Sequence, residues 1–262
     1  MAAERVVAGS EEAGVVPEKH EKLINEFVAR LRQAAGENLA SVILYGSAAS
    51  GEFDPEFSDL NLLCILRQTS FASLRNLASA VEWWRRRKHS APLVLTPEEL
   101  ELSADVFAIE WLDMQQNHRL LFGDDLVVSL RIPLRQHRAQ VEYELREKLI
   151  LLRQGLMAAA NNPRQLWELL LRSVPSFGTL FRHALIALGD AAPRSRREAV
   201  QELAARMQFD PQAWLQVLDI REHRLERKQL DVNDVCTRYL DTIEHVTLAV
   251  DTMLDSAGPR GA

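Results

Sequence analysis

Two short, almost uninterrupted apolar segments limit the folds open to this chain. The first reads SVILY at residues 41–45, and the second reads LNLLCIL at residues 60–66. Both are short for helices and rich in residues that favour strands, so we predict two β-strands. Because the apolar character is nearly continuous, both faces of each strand should be covered. We therefore expect them in the middle of a sheet with layers on either side.

The segments around these strands predict a mixed α and β domain. Apolar residues recur at helical spacing from Pro17 to the break at Gly36, and again over residues 74–84. PLVL at residues 92–95 predicts a third strand. The next residues, TPEE, have the composition of a capping box with proline at the first helical position, so they predict a helix start.

Residues 105–114, DVFAIEWLDM, leave two readings open. Large apolar side chains alternate along them with smaller or polar ones, which favours a fourth strand. A helix is also compatible with the same residues.

After Pro133 the pattern becomes purely helical. An apolar stripe from Val141 to Leu156 predicts a long helix, and residues 164–188 predict another that Pro175 should kink and Gly189 should end. Three further helical patterns follow. We therefore predict a disordered segment 1–16, a mixed α/β domain 17–130, a helical bundle domain 131–255 and a loose tail 256–262.

Composition excludes several classes of protein. Apolar residues make up 47% of the chain and charged residues 26%, with a formal net charge of -6, which argues against general nucleic-acid binding. No apolar stretch approaches the ~20 residues that span a bilayer, and the N-terminus lacks a signal-peptide pattern. Two distant cysteines suggest neither a disulfide nor a metal framework. We expect a cytoplasmic protein with no membrane partner.

The residues between the first two strands carry the chemistry. Gly46 allows a ligand to approach the backbone closely, and Ser47 offers a hydroxyl at a predicted helix start, where free N–H groups favour phosphate. Asp59 lies at the mouth of the second strand. Two carboxylates at positions i and i+2 of this strand would hold Mg²⁺ beside a triphosphate. Asp59 occupies the first position, but the second is occupied by Asn61.

This pattern resembles the DNA polymerase β-like nucleotidyltransferase superfamily, through Gly46, Ser47, Gly51, Ser58 and Asp59. The order of elements and the helical second half resemble kanamycin nucleotidyltransferase, or a minimal nucleotidyltransferase with its helical partner. The resemblance implies an α+β fold class: a nucleotidyltransferase-like mixed sheet with flanking helices, followed by an all-helical C-terminal bundle. It also implies Mg²⁺ at Asp59, phosphate binding at Gly46 and Ser47, and a nucleoside triphosphate as partner.

The sequence also departs from the superfamily's motif. The second carboxylate is replaced by Asn61, the third falls at Pro92 or Leu93, and the two loop arginines are Ala48 and Ser50. Loss of charge from a two-metal site should cost on the order of 10³-fold in rate. The acids that could compensate are Glu110 and Asp113, which we otherwise interpret as a solvated face.

Three basic positions, His118, Arg119 and His183, have ordinary structural interpretations. His118 and Arg119 resemble a basic segment of antibiotic-modifying relatives, but we favour ordinary surface packing for them. His183 lies within an apolar helical pattern and is interpreted as a core histidine.

Three functions remain open at this point. The first is Mg²⁺-dependent transfer of a nucleoside monophosphate from an NTP to a hydroxyl of a small molecule or protein, with Asp59 and Asn61 as the catalytic pair. The second is a catalytically degenerate homologue that binds nucleotide or protein. The third is an interaction protein that works through its helical bundle, as a homodimer.

Overall fold

A computed structural model describes residues 16–54, 58–134, 136–193 and 195–256 of the chain. It divides into two compact units, Met1–Pro133 and Leu134–Ala262. The predicted disordered segment 1–16 and loose tail 256–262 fall almost entirely outside the described residues. Val16, at the edge of the first, is buried in the core of the N-terminal unit.

The described part of the N-terminal unit contains one four-stranded mixed sheet, in the order β3-β2-β1-β4. The central strand β1 is antiparallel to both β2 and β4, whereas β3 is parallel to β2. The first two predicted strands thus lie side by side in the middle of the sheet, as their apolar character requires. The strands are β1 (Leu39–Tyr45), β2 (Asn61–Leu66), β3 (Leu93–Leu95) and β4 (His118–Gly123).

Helices cover both faces of this sheet. Side chains such as Leu44 and Cys64 point to one face, where they pack with α1 and α3, and Phe27 stacks on Trp84 at a ring separation of 4.3 Å. Ile43 and its neighbours point to the other face and pack with α4 and α5. The alternation follows from the two-residue period of a strand. The helices of this unit are α1 (Glu18–Ala35), α2 (Ser47–Ser50), α3 (Phe71–Arg85), α4 (Pro97–Leu102) and α5 (Ala108–Gln116).

The strand favoured for residues 105–114 is wrong. Ala108–Gln116 is a helix, and the fourth strand lies further on, at His118–Gly123. The buried residues Ala108, Trp111 and Met114 recur every three positions, so one helical face covers the sheet. Over so few residues, an alternating pattern and a helical stripe share most of their apolar positions, which explains the error.

The described part of the C-terminal unit contains helices and no strand. Pro175 lies inside α7, and the helix ends before Gly189, whose φ of +88° is easily adopted by glycine. Ser195 caps α8 by accepting a hydrogen bond from the Glu198 N–H. The helices are α6 (His137–Ala159), α7 (Pro163–Ala187), α8 (Arg196–Met207), α9 (Gln212–Arg221) and α10 (Val232–Ser256).

A mixed sheet with flanking helices, followed by helices alone, confirms the predicted α+β class. His183 is fully buried, which confirms its interpretation as a core residue. No helix among the described residues is long and apolar enough to cross a membrane.

Candidate functional site

The turn that follows β1 leaves backbone donors available for an anion. Gly46 has φ +76° and ψ -153°, a conformation open to glycine alone, and it leads into the single helical turn α2. The N–H groups of Ala49 and Ser50 both donate to the Gly46 carbonyl. Those of Ser47 and Ala48 precede the first internal bond of the turn and find no acceptor in the described part of the chain.

The two positions where the superfamily has arginine are occupied by residues that hold the turn together. Ala48 is buried against the α1 and α3 face of the sheet. The Ser50 hydroxyl donates to the Ser47 carbonyl at 3.4 Å. Any anion at this turn must therefore rely on backbone N–H groups and the Ser47 hydroxyl rather than on guanidinium groups.

Ser58 fixes the chain immediately before Asp59. Its N–H donates to the Asp54 carbonyl at 2.7 Å, and its hydroxyl accepts from the Asp54 N–H at 3.0 Å. Leu60 is fully buried and anchors the other side. Asp59 is thereby held between two fixed residues while its own side chain stays exposed to solvent.

Asn61 faces the Gly46 turn directly. It pairs with Tyr45 across β1 and β2, and its Nδ2 lies 3.2 Å from the place that a Cβ on Gly46 would occupy. The residue that replaces the second carboxylate therefore presents an amide to the glycine turn. Asp59 and Asn61 are two positions apart at the start of β2, so both belong to the strand end beside the turn.

The third carboxylate position holds no ionisable group. Leu93 lies on β3 opposite Leu63 of β2, and 40% of its surface is exposed. The two acids considered as replacements lie on α5 rather than on a strand, with Glu110 exposed and Asp113 half-buried. Their compensating role remains a prediction.

The donor set at the turn suits one Mg²⁺ and not a pair. Within the described ranges, no group of three or more His, Cys, Asp or Glu residues could hold a metal ion. Mg²⁺ nevertheless keeps several waters and is commonly held by one or two carboxylates together with substrate phosphates. Asp59, with the neutral amide of Asn61 beside it, meets that lower requirement, whereas two adjacent cations would lack compensating charge.

A histidine on the other side of Tyr45 belongs to the same edge of the sheet. His118 pairs with Tyr45 across β1 and β4. Its Nδ1 donates to the Met114 carbonyl at 2.6 Å and its Nε2 contacts the Asp125 carboxylate at 2.7 Å. Burial raises the pKa of Asp125, but the hydrogen bonds from His118 and from the Val128 and Val127 N–H groups outweigh it, so the net pKa is lowered.

This arrangement corrects the interpretation of His118 as a surface residue, since only 10% of its side chain is exposed. Arg119 is different: it is half-exposed and forms a two-pronged ion pair with Glu21 of α1. No local sequence pattern marks His118, because the strand that it begins is defined by its pairing with β1.

His89 lies within electrostatic range of Asp59 and of a second histidine, His20, and no sequence pattern marks either histidine. Burial lowers the pKa of His89, the nearby His20 lowers it further, and the charge of Asp59 opposes both effects. His89 stacks on Trp84 at 4.4 Å, and His20 packs edge-on against Phe53 at 5.2 Å. His20 belongs to α1 and His89 follows α3, so only the fold brings them to the Asp59 end of β2.

Comparison with known proteins agrees with this geometry. The family described as nucleotidyltransferase domain matches residues 22–118. Among solved structures, spectinomycin adenyltransferase AAD(9) from Enterococcus faecialis, crystallised with ATP and spectinomycin, has a TM-score of 0.52. It is 15% identical and the match covers 86% of this chain and 99% of that one, so it shows a shared fold. No curated protein matches significantly in sequence.

The match spans β1, the Gly46 turn and β2, the segments that carry the predicted motif. The shared fold extends over most of the chain, including its helical half. Residues 22–118 of the chain are therefore similar to a nucleotidyltransferase domain, and the chain shares the fold of the adenyltransferase.

Proposed function

We propose that this protein transfers a nucleoside monophosphate from a nucleoside triphosphate to a hydroxyl group of a small molecule or a protein. The observation that carries the proposal is the juxtaposition of the Gly46 turn with the start of β2. The N–H groups of Ser47 and Ala48, which have no acceptor among the described residues, lie at the end of β1, and the Asn61 amide lies beside Gly46 on the neighbouring strand. Such a turn binds phosphate through its backbone.

Each residue of the turn has a separate task in this proposal. Gly46 permits the close approach of a phosphate, and Ser47 adds a hydroxyl. The Asn61 amide, held by its pairing with Tyr45, supplies a neutral polar group in place of a charged one. Asp59 supplies the negative charge, and Ser58 keeps its carboxylate at the mouth of the strand.

Asp59 would hold Mg²⁺ together with the phosphates of the substrate, with Asn61 beside it. When bound, the metal neutralises phosphate charge and favours attack at the α-phosphorus. The acceptor oxygen then forms a bond to the α-phosphorus. The bond between that phosphorus and the oxygen that bridges it to the β-phosphate breaks, and pyrophosphate is released. Because Leu93 cannot accept the hydroxyl proton, that proton must leave to another group or to water.

The transfer can be tested with the full chain, labelled ATP or GTP, Mg²⁺ or Mn²⁺, and a panel of hydroxyl compounds that includes aminocyclitols. Pyrophosphate release that depends on an acceptor and disappears in Asp59→Asn supports the proposal. Asp105→Asn is a matched control, because Asp105 is an exposed carboxylate in the turn between α4 and α5. Turnover that survives Asp59→Asn unchanged would refute the role of this site.

A second candidate is a homologue that binds nucleotide without transferring it. The neutral Asn61 and the apolar Leu93 favour this alternative, since both replace acids of the superfamily's motif. Calorimetry with a non-hydrolysable NTP separates the two: binding without turnover supports the second candidate. In that case Asn61→Asp should strengthen Mg²⁺-dependent binding by roughly tenfold, because a charged ligand replaces a neutral one.

A further inference from the structure

A cavity of about 380 Å³ lies between α4 and the segment that follows β4. Its volume falls within the range of small-molecule pockets, which begins at roughly 300 Å³. The floor is apolar: Leu100 and Leu130 are both buried members of the core on this face of the sheet. An amphipathic ligand could therefore bury part of its carbon skeleton here.

Two opposite charges line the same cavity without neutralising each other. Glu101 lies on α4, and Arg131 closes the segment after β4. Among the described residues, neither the Glu101 nor the Arg131 side chain forms an ion pair or a hydrogen bond. Hydrogen bonds to charged groups are stronger than those between neutral groups, so an exposed acid and an exposed base around an apolar floor suit a ligand carrying both signs.

The wall that carries Arg131 is held in place before any ligand arrives. The Gln115 side-chain amide donates to the carbonyls of Val127 and Leu130, at 3.0 and 2.7 Å. The Asp125 carboxylate accepts from the Val128 N–H at 3.2 Å. A wall fixed by side chains of α5 and by its own turn lowers the ordering cost of binding.

The residues that line this cavity differ from those of the Gly46 turn and the start of β2. Leu95 pairs with Ile65 near the end of β2, and α4 begins two residues later. Gly123 pairs with Ser41 near the beginning of β1, and the segment lining the cavity follows it. Both lining segments leave the sheet at the end opposite to Tyr45 and Gly46, and the second then turns back along the sheet, since Asp125 contacts His118.

We propose that this cavity is a second binding site, separate from the nucleotide turn, for a small zwitterion whose ammonium and carboxylate groups are separated by an apolar chain. The ammonium pairs with Glu101 and the carboxylate with Arg131, while the chain lies on Leu100 and Leu130. The Ser129 hydroxyl, which already donates to the Leu126 carbonyl, can still accept a hydrogen bond at the rim.

Isothermal titration of the full chain with 6-aminohexanoate tests the proposal, with hexanoate and hexylamine as probes of a single charge. We expect 6-aminohexanoate to bind at least tenfold more tightly than either, since each charge-assisted contact accounts for about a factor of ten. Glu101→Gln and Arg131→Gln should each weaken binding by roughly tenfold. The matched control is Glu98→Gln, an exposed glutamate of the same helix that does not line the cavity, and it should leave the affinity unchanged.

A charge-swapped variant, Glu101→Arg with Arg131→Glu, keeps the test independent of folding. A zwitterion can reverse its direction in the cavity, so this double variant should bind 6-aminohexanoate more tightly than either single variant. No binding of 6-aminohexanoate to the unmodified chain would overturn the proposal. Equal binding of all three probes, or unchanged affinity in both single variants, would overturn it as well.

Discussion

The two units of this protein place their polar residues in opposite environments. In the N-terminal unit the residues with chemical potential stand at strand ends, where Asp59 is exposed and Asn61 is half-buried. In the C-terminal unit polar groups lie inside the helical core, where His137 and His183 share a hydrogen bond of 2.8 Å. The buried polar or charged residues of the described chain are Ser41 in the first unit and His137, Arg182, His183, Arg221, Thr242 and Thr247 in the second.

This difference assigns different tasks to the two sets of residues. A side chain at a strand end can change its partners when a substrate arrives, because solvent already occupies part of its surroundings. A buried side chain has fixed partners, and removing one leaves the other without compensation. Substitutions in the first set should therefore alter activity more than folding, and substitutions in the second set should do the reverse.

The largest expected effect is on the rate of the proposed reaction. Asp59→Asn removes the carboxylate that we propose to hold the phosphate-bound cation, and we expect a loss on the order of 10³-fold, or about 4 kcal/mol in activation free energy. Because Asp59 is exposed, the free energy of unfolding should change by less than about 0.5 kcal/mol. Steady-state kinetics and urea unfolding measure the two quantities. A destabilised variant with normal turnover would contradict the contrast between the units.

The next effect is on the pH dependence of folding in the C-terminal unit. Burial and, to a smaller extent, the neighbouring His183 together lower the pKa of His137 to about 4, whereas the unfolded chain titrates at about 6.5. The unfolded state then binds a proton that the folded state does not, so stability is complete above pH 6.5 and falls as the pH drops towards 4. The total loss is about 3 kcal/mol for this residue.

Urea unfolding at several pH values between 7 and 4.5 tests this pH dependence, with His137→Gln as the comparison. The variant is expected to be less stable at neutral pH and to lose less stability on acidification. The same slope in both proteins would show that His137 does not keep its lowered pKa in the folded state.

The third effect distinguishes Gly46 from Gly51, the two glycines that flank α2. Gly46→Ala places a side chain in a conformation reserved for glycine and brings its Cβ to 3.2 Å from Asn61 Nδ2, so we expect a loss of about 2 kcal/mol and weaker nucleotide binding. Gly51 has the same φ of +76° but lies in the left-handed helical region with open space around it. Gly51→Ala should therefore cost only about 1 kcal/mol. Thermal unfolding and NTP titration compare the two variants, and equal effects would exclude a special role for the Asn61 contact.

The smallest effect should be the same in both units. Thr96→Ala removes a complete capping box from α4, and Ser195→Ala removes the corresponding cap from α8. Each accepted hydrogen bond is 3.1 Å long, so each substitution should cost about 1 kcal/mol. Hydrogen exchange of the first turn of each helix measures this locally. A marked difference would mean that surrounding packing, rather than the cap, determines the stability of these helix ends.

Local patterns were sufficient for most of the secondary structure. The two central strands, the capping box at Thr96 and the cap at Ser195 follow from residue types within a few positions of one another. The strand His118–Gly123 could not be recognised in the same way, because its side chains are only partly buried or exposed. It is a strand because it pairs with β1, and pairing between residues some 75 positions apart leaves no local pattern.

Some residues of the candidate site are likewise identified by local sequence, whereas others become neighbours only in the folded chain. The sequence alone determined the Gly46–Ser47 turn, Asp59, and the replacement of a carboxylate by Asn61, since these depend on residue identity and short spacing. Only the tertiary structure brought His20, His89 and His118 to that end of the sheet, and only it placed Glu101 and Arg131 around a shared cavity. The physical reason is that strand register and helix packing are set by the whole core, and they decide which distant side chains become neighbours.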